Sequence, residues 1–237
     1  MLFYVKTCSS PSGGGIMKIK GAIFDLDGTL LDSMGIWSNL CSDFLHKYGI
    51  TEPVSLENKL QVLSIRNALD YILKLYPAIG IDLDTAWQET MAKVASFYRD
   101  EVELRPGIKT ILDELAVNDI PAGIITATET ELVLQALQKV GLQDYFTAGI
   151  ISCAELQTSK RKPDVFFSMA EKFSARAEEV IVFEDALYAA STAKNAGFIV
   201  AAVYDPSEKN PAQLQNIADS YCLSWEDFPL SLLHRHQ

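Results

Sequence analysis

Short apolar runs alternate with stretches of helical periodicity along most of this 237-residue chain, and this alternation restricts the fold more than any other feature. The clearest apolar runs begin at Ile19 and occupy residues 120–126, 180–185 and 198–205, with a weaker run at 148–153. The helical stretches between them include residues 109–117, 131–140 and 164–173. Because alternating strands and helices are typical of a parallel sheet covered on both faces, the sequence predicts an α/β, Rossmann-like core.

The alternation stops between residues 32 and 103, where several helical patterns occur without a convincing strand. We interpret this segment as an inserted, all-helical cap domain. The catalytic core is then expected to consist of residues 17–31 and 104–237. Residues 1–16 end in SSPSGGG, a composition typical of flexible linkers, and they are expected to form a leader outside the fold.

The helix predicted after the second apolar run has the clearest end signals in the sequence. Thr128 and Glu131 have the spacing of a capping box, in which each side chain accepts a hydrogen bond from the other residue's backbone. Gly141 follows the last apolar position, where glycine commonly ends a helix. The sequence therefore predicts a helix between these two signals.

Composition argues against several classes of partner. The formal net charge of −11 repels polyanions, and the chain has no basic stretch long enough to follow a nucleic-acid strand. Its four cysteines are far apart and lack zinc-site spacing, which fits a reducing compartment. No apolar run approaches the ~20 residues that span a bilayer. We expect a cytoplasmic protein, a monomer or weak dimer, that binds neither nucleic acid nor membrane.

Polar side chains follow three of the predicted strands, at the points where the strands end. Asp25 and Asp27 follow the first strand, Thr126 ends the second, and Glu184 and Asp185 end the fourth. In open parallel sheets, ligands bind outside the carboxyl ends of the strands, where the strand order reverses. We therefore expect these side chains to converge on one site.

The predicted site has the chemistry of phosphoryl transfer. One carboxylate of the Asp25 and Asp27 pair can attack phosphorus while the other protonates the leaving oxygen. Adding Glu184 and Asp185 to the same site is electrostatically costly unless a divalent cation lies among the carboxylates. Mg²⁺ suits this position best, because it prefers oxygen ligands and bridges carboxylates to phosphate.

The DLDGT sequence at Asp25, followed in order by the threonine, lysine and acidic elements, resembles the haloacid dehalogenase superfamily. The resemblance is to the branch of phosphatases and β-phosphoglucomutase-like proteins with a helical cap, and it extends from Met17 onward. It implies that Asp25 forms an aspartyl-phosphate. It also implies that Asp27 donates and then accepts a proton, and that both aspartates contribute to Mg²⁺ binding.

The resemblance assigns roles to the remaining site residues as well. Thr126 and Ala127 are expected to bind the phosphoryl group. Lys160 is expected to hold the phosphate and the nucleophile. Asp185 is expected to bind the metal directly, and Glu184 to act through metal-bound water or as a neighbour of the ligands.

The lysine element departs from the pattern of the family, which usually reads GKPxPD where this chain reads SKRKPD. Alignment on Pro163 and Asp164 favours Lys160 as the phosphate-contacting lysine. Lys162 is the alternative, and Arg161 is expected to be a surface charge.

The sequence therefore predicts a Mg²⁺-dependent phosphohydrolase that acts on a small phosphorylated metabolite. The first alternative is a sugar phosphomutase, but the position five after Asp32 is Trp37, where the best-known glucose mutases resemble each other in carrying histidine. The second alternative is a non-catalytic module that binds a phosphorylated ligand. The intact acidic residues of the predicted site argue against a non-catalytic module.

Overall fold

The computed structural model of the chain describes residues 18–233, apart from residues 52, 54, 55, 57, 58, 61 and 62. The described residues form two compact units. One unit, called the core unit below, contains residues 18–32 and 103–233, and the other contains Ser33–Val102. The predicted leader, residues 1–16, lies outside the described residues.

The core unit contains a six-stranded parallel sheet in the order β3-β2-β1-β4-β5-β6. The strands are β1 (Gly21–Phe24), β2 (Ala122–Thr126), β3 (Ile150–Ser152), β4 (Val180–Glu184), β5 (Ile199–Val203) and β6 (Ser220–Cys222). The first five strands lie within the predicted apolar runs. Strand β6 was not predicted, because a strand of three residues, two of them half-buried, does not form an apolar run.

Strand β1 lies at the centre of the sheet and pairs with β2 on one side and β4 on the other. Every residue of β1 and β4 is buried, which explains why these strands appear in the sequence as continuous apolar runs. Because β2 and β3 extend the sheet in one direction and β4 to β6 in the other, the strand order reverses at β1. Ligands bind at the carboxyl ends of the strands at such a reversal.

Helices connect the strands and also form the second unit. The helices are α1 (Met34–Lys47), α2 (Ile65–Leu75), α3 (Leu83–Asp100), α4 (Ile108–Val117), α5 (Thr130–Val140), α6 (Asp164–Lys172), α7 (Leu187–Asn195) and α8 (Pro211–Ile217). No helix among the described residues is long and apolar enough to cross a membrane.

Side chains pack against both faces of the sheet. On one face, buried residues of α6, α7 and α8 share a cluster with residues of β1 and β4, including Phe166, Met169, Ala193, Leu214, Ile23 and Val182. On the other face, the rings of Phe24 and Phe183 stack with centroids 4.3 Å apart. Phe146 and Trp225 pack on these rings. The predicted α/β, Rossmann-like fold class is confirmed.

The unit Ser33–Val102 is helical, and its described residues include no strand. Helices α1, α2 and α3 bury apolar side chains against one another, among them Phe44, Leu45, Leu69, Ile72 and Ala86. Two of the helices have side-chain caps at their N-termini. Ser64 Oγ accepts a hydrogen bond from Asn67 N at 3.3 Å, and Asp82 Oδ1 accepts one from Thr85 N at 2.7 Å.

The predicted capping box at the start of α5 is wrong. The helix begins at Thr130, and its N-cap residue Glu129 makes no side-chain capping bond. Instead, Glu155 reaches across from the loop after β3 and accepts a hydrogen bond from Thr130 N at 2.8 Å. The hydroxyl of Thr128 instead donates a hydrogen bond to Asp27. The predicted end is correct, because Gly141 closes the helix in the left-handed conformation with φ 70°.

Candidate active site

The carboxyl ends of three neighbouring strands bring the predicted polar residues together. Asp25 follows β1 directly, Thr126 is the last residue of β2, and Glu184 and Asp185 lie at the end of β4. All four side chains are buried. Buried polar groups require hydrogen-bond or charge partners, so their neighbours define the chemistry of the site.

Lys160 joins the ends of β1 and β4. Its Nζ lies 2.5 Å from Oδ1 of Asp25 and also donates to Oε1 of Glu184. The Lys160 side chain is only 4% exposed, whereas Lys162 lies on the surface. Of the two lysines that the sequence left open, the structure brings Lys160 to the predicted nucleophile.

The neighbour Arg161 has a different environment from Lys160. It is exposed, as expected, and its guanidinium lies 4.6 Å from the centre of the Tyr188 ring. This distance is typical of a cation–π contact. The three adjacent cationic residues therefore have different environments, and only Lys160 is buried.

The carboxyl groups outnumber the ammonium group, and burial makes their charges costly. Burial raises the pKa of Asp25 to about 7, an effect that Lys160 opposes and that Glu184 and Asp27 reinforce. Burial also raises the pKa of Asp185, and Asp25 and Glu184 raise it further. Burial lowers the pKa of Lys160, but the two carboxylates outweigh burial and raise it overall. The site therefore has an excess of negative charge that a cation can neutralise.

Three of the buried carboxyl groups are suited to hold such a cation. Asp25, Glu184 and Asp185 can each offer one oxygen, and these three oxygens lie within 4.8 Å of one another. An all-oxygen set with several carboxylates is typical of sites for hard divalent cations such as Mg²⁺. The residues present therefore fit a divalent metal.

Glu184 is also fixed by backbone groups. Its Oε2 accepts hydrogen bonds from the backbone N of Asp185 at 3.2 Å and of Ala186 at 3.1 Å, while Oε1 faces Lys160. Both oxygens therefore have protein partners. This arrangement holds the loop after β4 and keeps the neighbouring Asp185 next to the site.

Thr126 and Thr128 organise the loop after β2. The backbone N of Thr128 donates to Thr126 Oγ1 at 3.0 Å, and the Thr128 hydroxyl donates to Asp27 Oδ2 at 2.7 Å. Ala127, between the two threonines, is exposed. From the sequence, Thr128 was expected to cap a helix and not to belong to the site. One signal in the sequence could have placed Thr128 in the site. It lies two positions after Thr126, and alternate residues of an extended chain point to the same side.

Two further residues contact the site from the side of β4, and neither was assigned a role there from the sequence. Thr29, the last residue of DLDGT, has its Oγ1 3.4 Å from Asp185 Oδ1. The indole Nε1 of Trp225 donates to the backbone carbonyl of Thr29 at 2.8 Å. The loop after β1 is therefore tied both to an acidic site residue and to the C-terminal part of the core unit.

Solved structures of similar fold include a β-phosphoglucomutase from Clostridium difficile. It matches with a TM-score of 0.67 at 20% sequence identity, over 91% of this chain and 96% of that one. At this identity the likeness supports the fold alone. It agrees with the α/β core described above.

Curated relatives include two proteins named as phosphatases. The chain is 26% identical over 227 residues to a protein of Drosophila melanogaster named "Probable pseudouridine-5'-phosphatase", covering 91% of this chain and 96% of that protein. It is 29% identical over 220 residues to (DL)-glycerol-3-phosphatase 2 of Arabidopsis thaliana, covering 89% of each.

The family profile agrees with these relatives and with the resemblance noted from DLDGT. Residues 22–203 match the profile of the haloacid dehalogenase-like hydrolases. This segment includes all the site residues predicted from the sequence. The predicted family and the predicted enzyme class, a phosphatase of the haloacid dehalogenase type, are confirmed. The chain belongs to the haloacid dehalogenase-like hydrolase family.

Proposed function

We propose that the protein is a Mg²⁺-dependent phosphatase that hydrolyses a small phosphorylated metabolite through an aspartyl-phosphate on Asp25. One observation carries this proposal: the buried Lys160 ammonium lies 2.5 Å from Asp25, at the sheet edge that also holds Glu184 and Asp185. A nucleophile, an ammonium group and a set of metal-binding oxygens thus share one site. Phosphoryl transfer is catalysed mainly by such positioning and charge neutralisation.

In the first step, a carboxylate oxygen of Asp25 forms a bond to phosphorus while the bond from phosphorus to the leaving oxygen breaks. Asp27 gives its proton to that oxygen, which leaves as an alcohol. Thr126 and Lys160 hold the phosphoryl oxygens during the transfer. Asp25, Asp185 and the backbone carbonyl of Asp27 would hold the Mg²⁺ ion, which would supply the positive charge that lets a carboxylate approach an anionic substrate.

In the second step, water attacks the phosphorus of the aspartyl-phosphate and Asp27 accepts its proton. The bond between phosphorus and Asp25 breaks, which releases inorganic phosphate and restores the carboxylate. General acid and base assistance of this kind contributes roughly 10²- to 10⁴-fold to the rate. The Thr128 hydrogen bond to Asp27 supports this assignment, because it fixes the orientation of the acid.

For the substrate we propose a phosphomonoester of a small polyol, sugar or nucleoside. The names of similar proteins support this class: they include (DL)-glycerol-3-phosphatase 2 of Arabidopsis thaliana and fructose-1-phosphate phosphatase of Escherichia coli. Among the described residues, Lys160 is the buried lysine of the site, and one ammonium group is suited to one phosphoryl group rather than to a polyanion.

The proposal is tested by measuring phosphate release from glycerol 3-phosphate, fructose 1-phosphate and pseudouridine 5′-phosphate, with and without Mg²⁺. Wild type is expected to release phosphate only with Mg²⁺. Asp25→Asn is expected to lose at least about 10³-fold in rate while staying folded, because an amide is a poor nucleophile. Asp144→Asn, the same change at an exposed position, serves as the control.

Three outcomes would contradict the proposal in different ways. Turnover by Asp25→Asn close to that of wild type would remove Asp25 as the nucleophile. Interconversion of sugar-phosphate isomers without release of phosphate would identify a phosphomutase. Binding of these esters without either reaction would identify a non-catalytic module.

A further inference from the structure

We propose that Trp225 is a positioning residue for the Asp185 carboxylate, acting through Thr29, and that it strengthens divalent-cation binding. The inference rests on the proposed function, in which Asp185 binds the metal. Trp225 lies in a short 3-10 turn, Trp225–Asp227, after the last strand of the sheet. The proposal therefore gives the C-terminal part of the core unit a role in the site.

The connection consists of two contacts between buried groups. Trp225 is 2% exposed, and its Nε1 donates a 2.8 Å hydrogen bond to the backbone carbonyl of Thr29. Thr29 is fully buried, and its Oγ1 lies 3.4 Å from Oδ1 of Asp185. The first contact is short and the second is long, so the position of Thr29 decides whether its hydroxyl reaches the carboxylate.

Packing alone does not explain a tryptophan at this position. The indole ring packs edge-on against Phe183 and Phe228, with centroids 5.4 Å and 6.1 Å apart. A phenylalanine or leucine could provide similar apolar contact, but neither has an N–H donor. The Thr29 carbonyl is buried, and a buried carbonyl without a donor is costly.

The backbone that carries Trp225 is also held closely. A Cβ atom at Gly107 would lie 2.2 Å from the backbone N of Glu226 and 2.4 Å from the carbonyl carbon of Trp225. Only a glycine allows this approach, and Gly107 has a φ of +88° that also favours glycine. Ser224 Oγ accepts a hydrogen bond from Glu226 N at 3.3 Å and begins the turn. The backbone of Trp225 is therefore fixed in place, and the indole hydrogen bond holds Thr29 relative to it.

The consequence for the site follows from the geometry that Mg²⁺ demands. Mg²⁺ requires near-ideal octahedral coordination, so a small rotation of one carboxylate weakens binding. Residues that orient the ligands without touching the metal commonly change metal affinity when they are substituted. Loss of the Trp225 donor is expected to let Thr29 shift and to leave the Asp185 carboxylate less well oriented.

The decisive variant is Trp225→Phe, which keeps an aromatic ring against Phe183 and Phe228 and removes the donor. Mg²⁺ binding to the purified full chain is measured by titration calorimetry in the absence of substrate, and the Tm is measured alongside. We expect the Kd for Mg²⁺ to rise about 2- to 10-fold, the range set by the loss of one hydrogen bond. At saturating Mg²⁺, kcat is expected to return toward the wild-type value.

Two further variants separate orientation from packing. Phe228→Leu disturbs the same aromatic cluster but leaves the donor to Thr29, so it is expected to lower the Tm without changing the Kd for Mg²⁺. Thr29→Val removes the hydroxyl that faces Asp185 and is expected to raise the Kd. If Trp225 acts through that hydroxyl, adding Trp225→Phe to Thr29→Val should weaken Mg²⁺ binding little further.

An unchanged Kd in Trp225→Phe would overturn the inference, whatever happened to the Tm. An equal rise in Kd for Phe228→Leu would also overturn it, because packing would then explain the effect. If wild type shows Mg²⁺-dependent turnover in either case, the proposed function survives. If wild type neither binds Mg²⁺ nor releases phosphate, the proposed function fails together with the inference.

Discussion

The hydroxyl of Thr128 donates a 2.7 Å hydrogen bond to Oδ2 of Asp27. This contact joins the loop after β2 to the loop after β1, two neighbouring strands of the sheet. It orients the carboxyl group that we propose as the proton donor and acceptor. A general acid must lie within hydrogen-bond reach of the oxygen that it protonates, so its orientation affects the rate directly.

Thr128→Val is therefore expected to lower kcat about 10- to 150-fold, because a hydrogen bond to a charged group is worth roughly 1.5–3 kcal/mol. Valine has nearly the shape of threonine, so the Tm is expected to change little. The matched control is Thr130→Val: the Thr130 hydroxyl donates to Glu155 Oε2 at 2.9 Å, at the start of α5. Steady-state kinetics of both variants test the prediction, and equal effects on kcat would contradict it.

The two neighbouring lysines are expected to differ sharply in their contribution to stability. Lys160→Met leaves Asp25 and Glu184 buried without their ammonium partner and is expected to cost about 3–5 kcal/mol in the free energy of unfolding. Lys162→Met changes an exposed residue and is expected to stay within about 0.5 kcal/mol. Urea unfolding without added metal measures both values. A comparable loss for Lys162→Met would contradict the assignment of Lys160.

The features of this molecule that could be predicted from the sequence share one property: each is indicated by a short segment of the chain alone. A central parallel strand is buried on both faces and appears as a continuous apolar run, as in Val180–Glu184. The carboxyl ends of such strands lie along one edge of the sheet, so acidic residues after each run could be assigned to one place. Asp25 and Asp185 come from different strands and were still expected together.

The parts that sequence analysis missed depend on distant partners. Trp225 and Thr29 are 196 positions apart, and nothing around either residue indicates their contact. The N-terminus of α5 uses Glu155, which is 25 positions from its partner Thr130, in place of the expected local cap. Once a distant residue satisfies a helix terminus, the nearby threonine is available for another role. The missed role of Thr128 and the wrong capping box therefore have one cause.

The stability of the metal-free protein should depend on pH through Asp25. Burial raises the pKa of this carboxyl group to about 7, from 3.8 for an unperturbed aspartate. Between these two values the folded state binds more protons than the unfolded state. The free energy of unfolding is therefore expected to fall as the pH rises from about 4 to about 7. Urea unfolding in the presence of a chelator measures this slope.

Asp25→Asn removes the titrating group and is expected to make the slope shallower, while Asp144→Asn keeps the wild-type slope. Some fall should persist in Asp25→Asn, because burial also raises the pKa of Asp185. Equal slopes for wild type and Asp25→Asn would show that Asp25 does not bind the extra proton. Added Mg²⁺ is expected to offset the fall in the free energy of unfolding near neutral pH. A cation that binds only the folded state stabilises that state and favours ionised carboxylates.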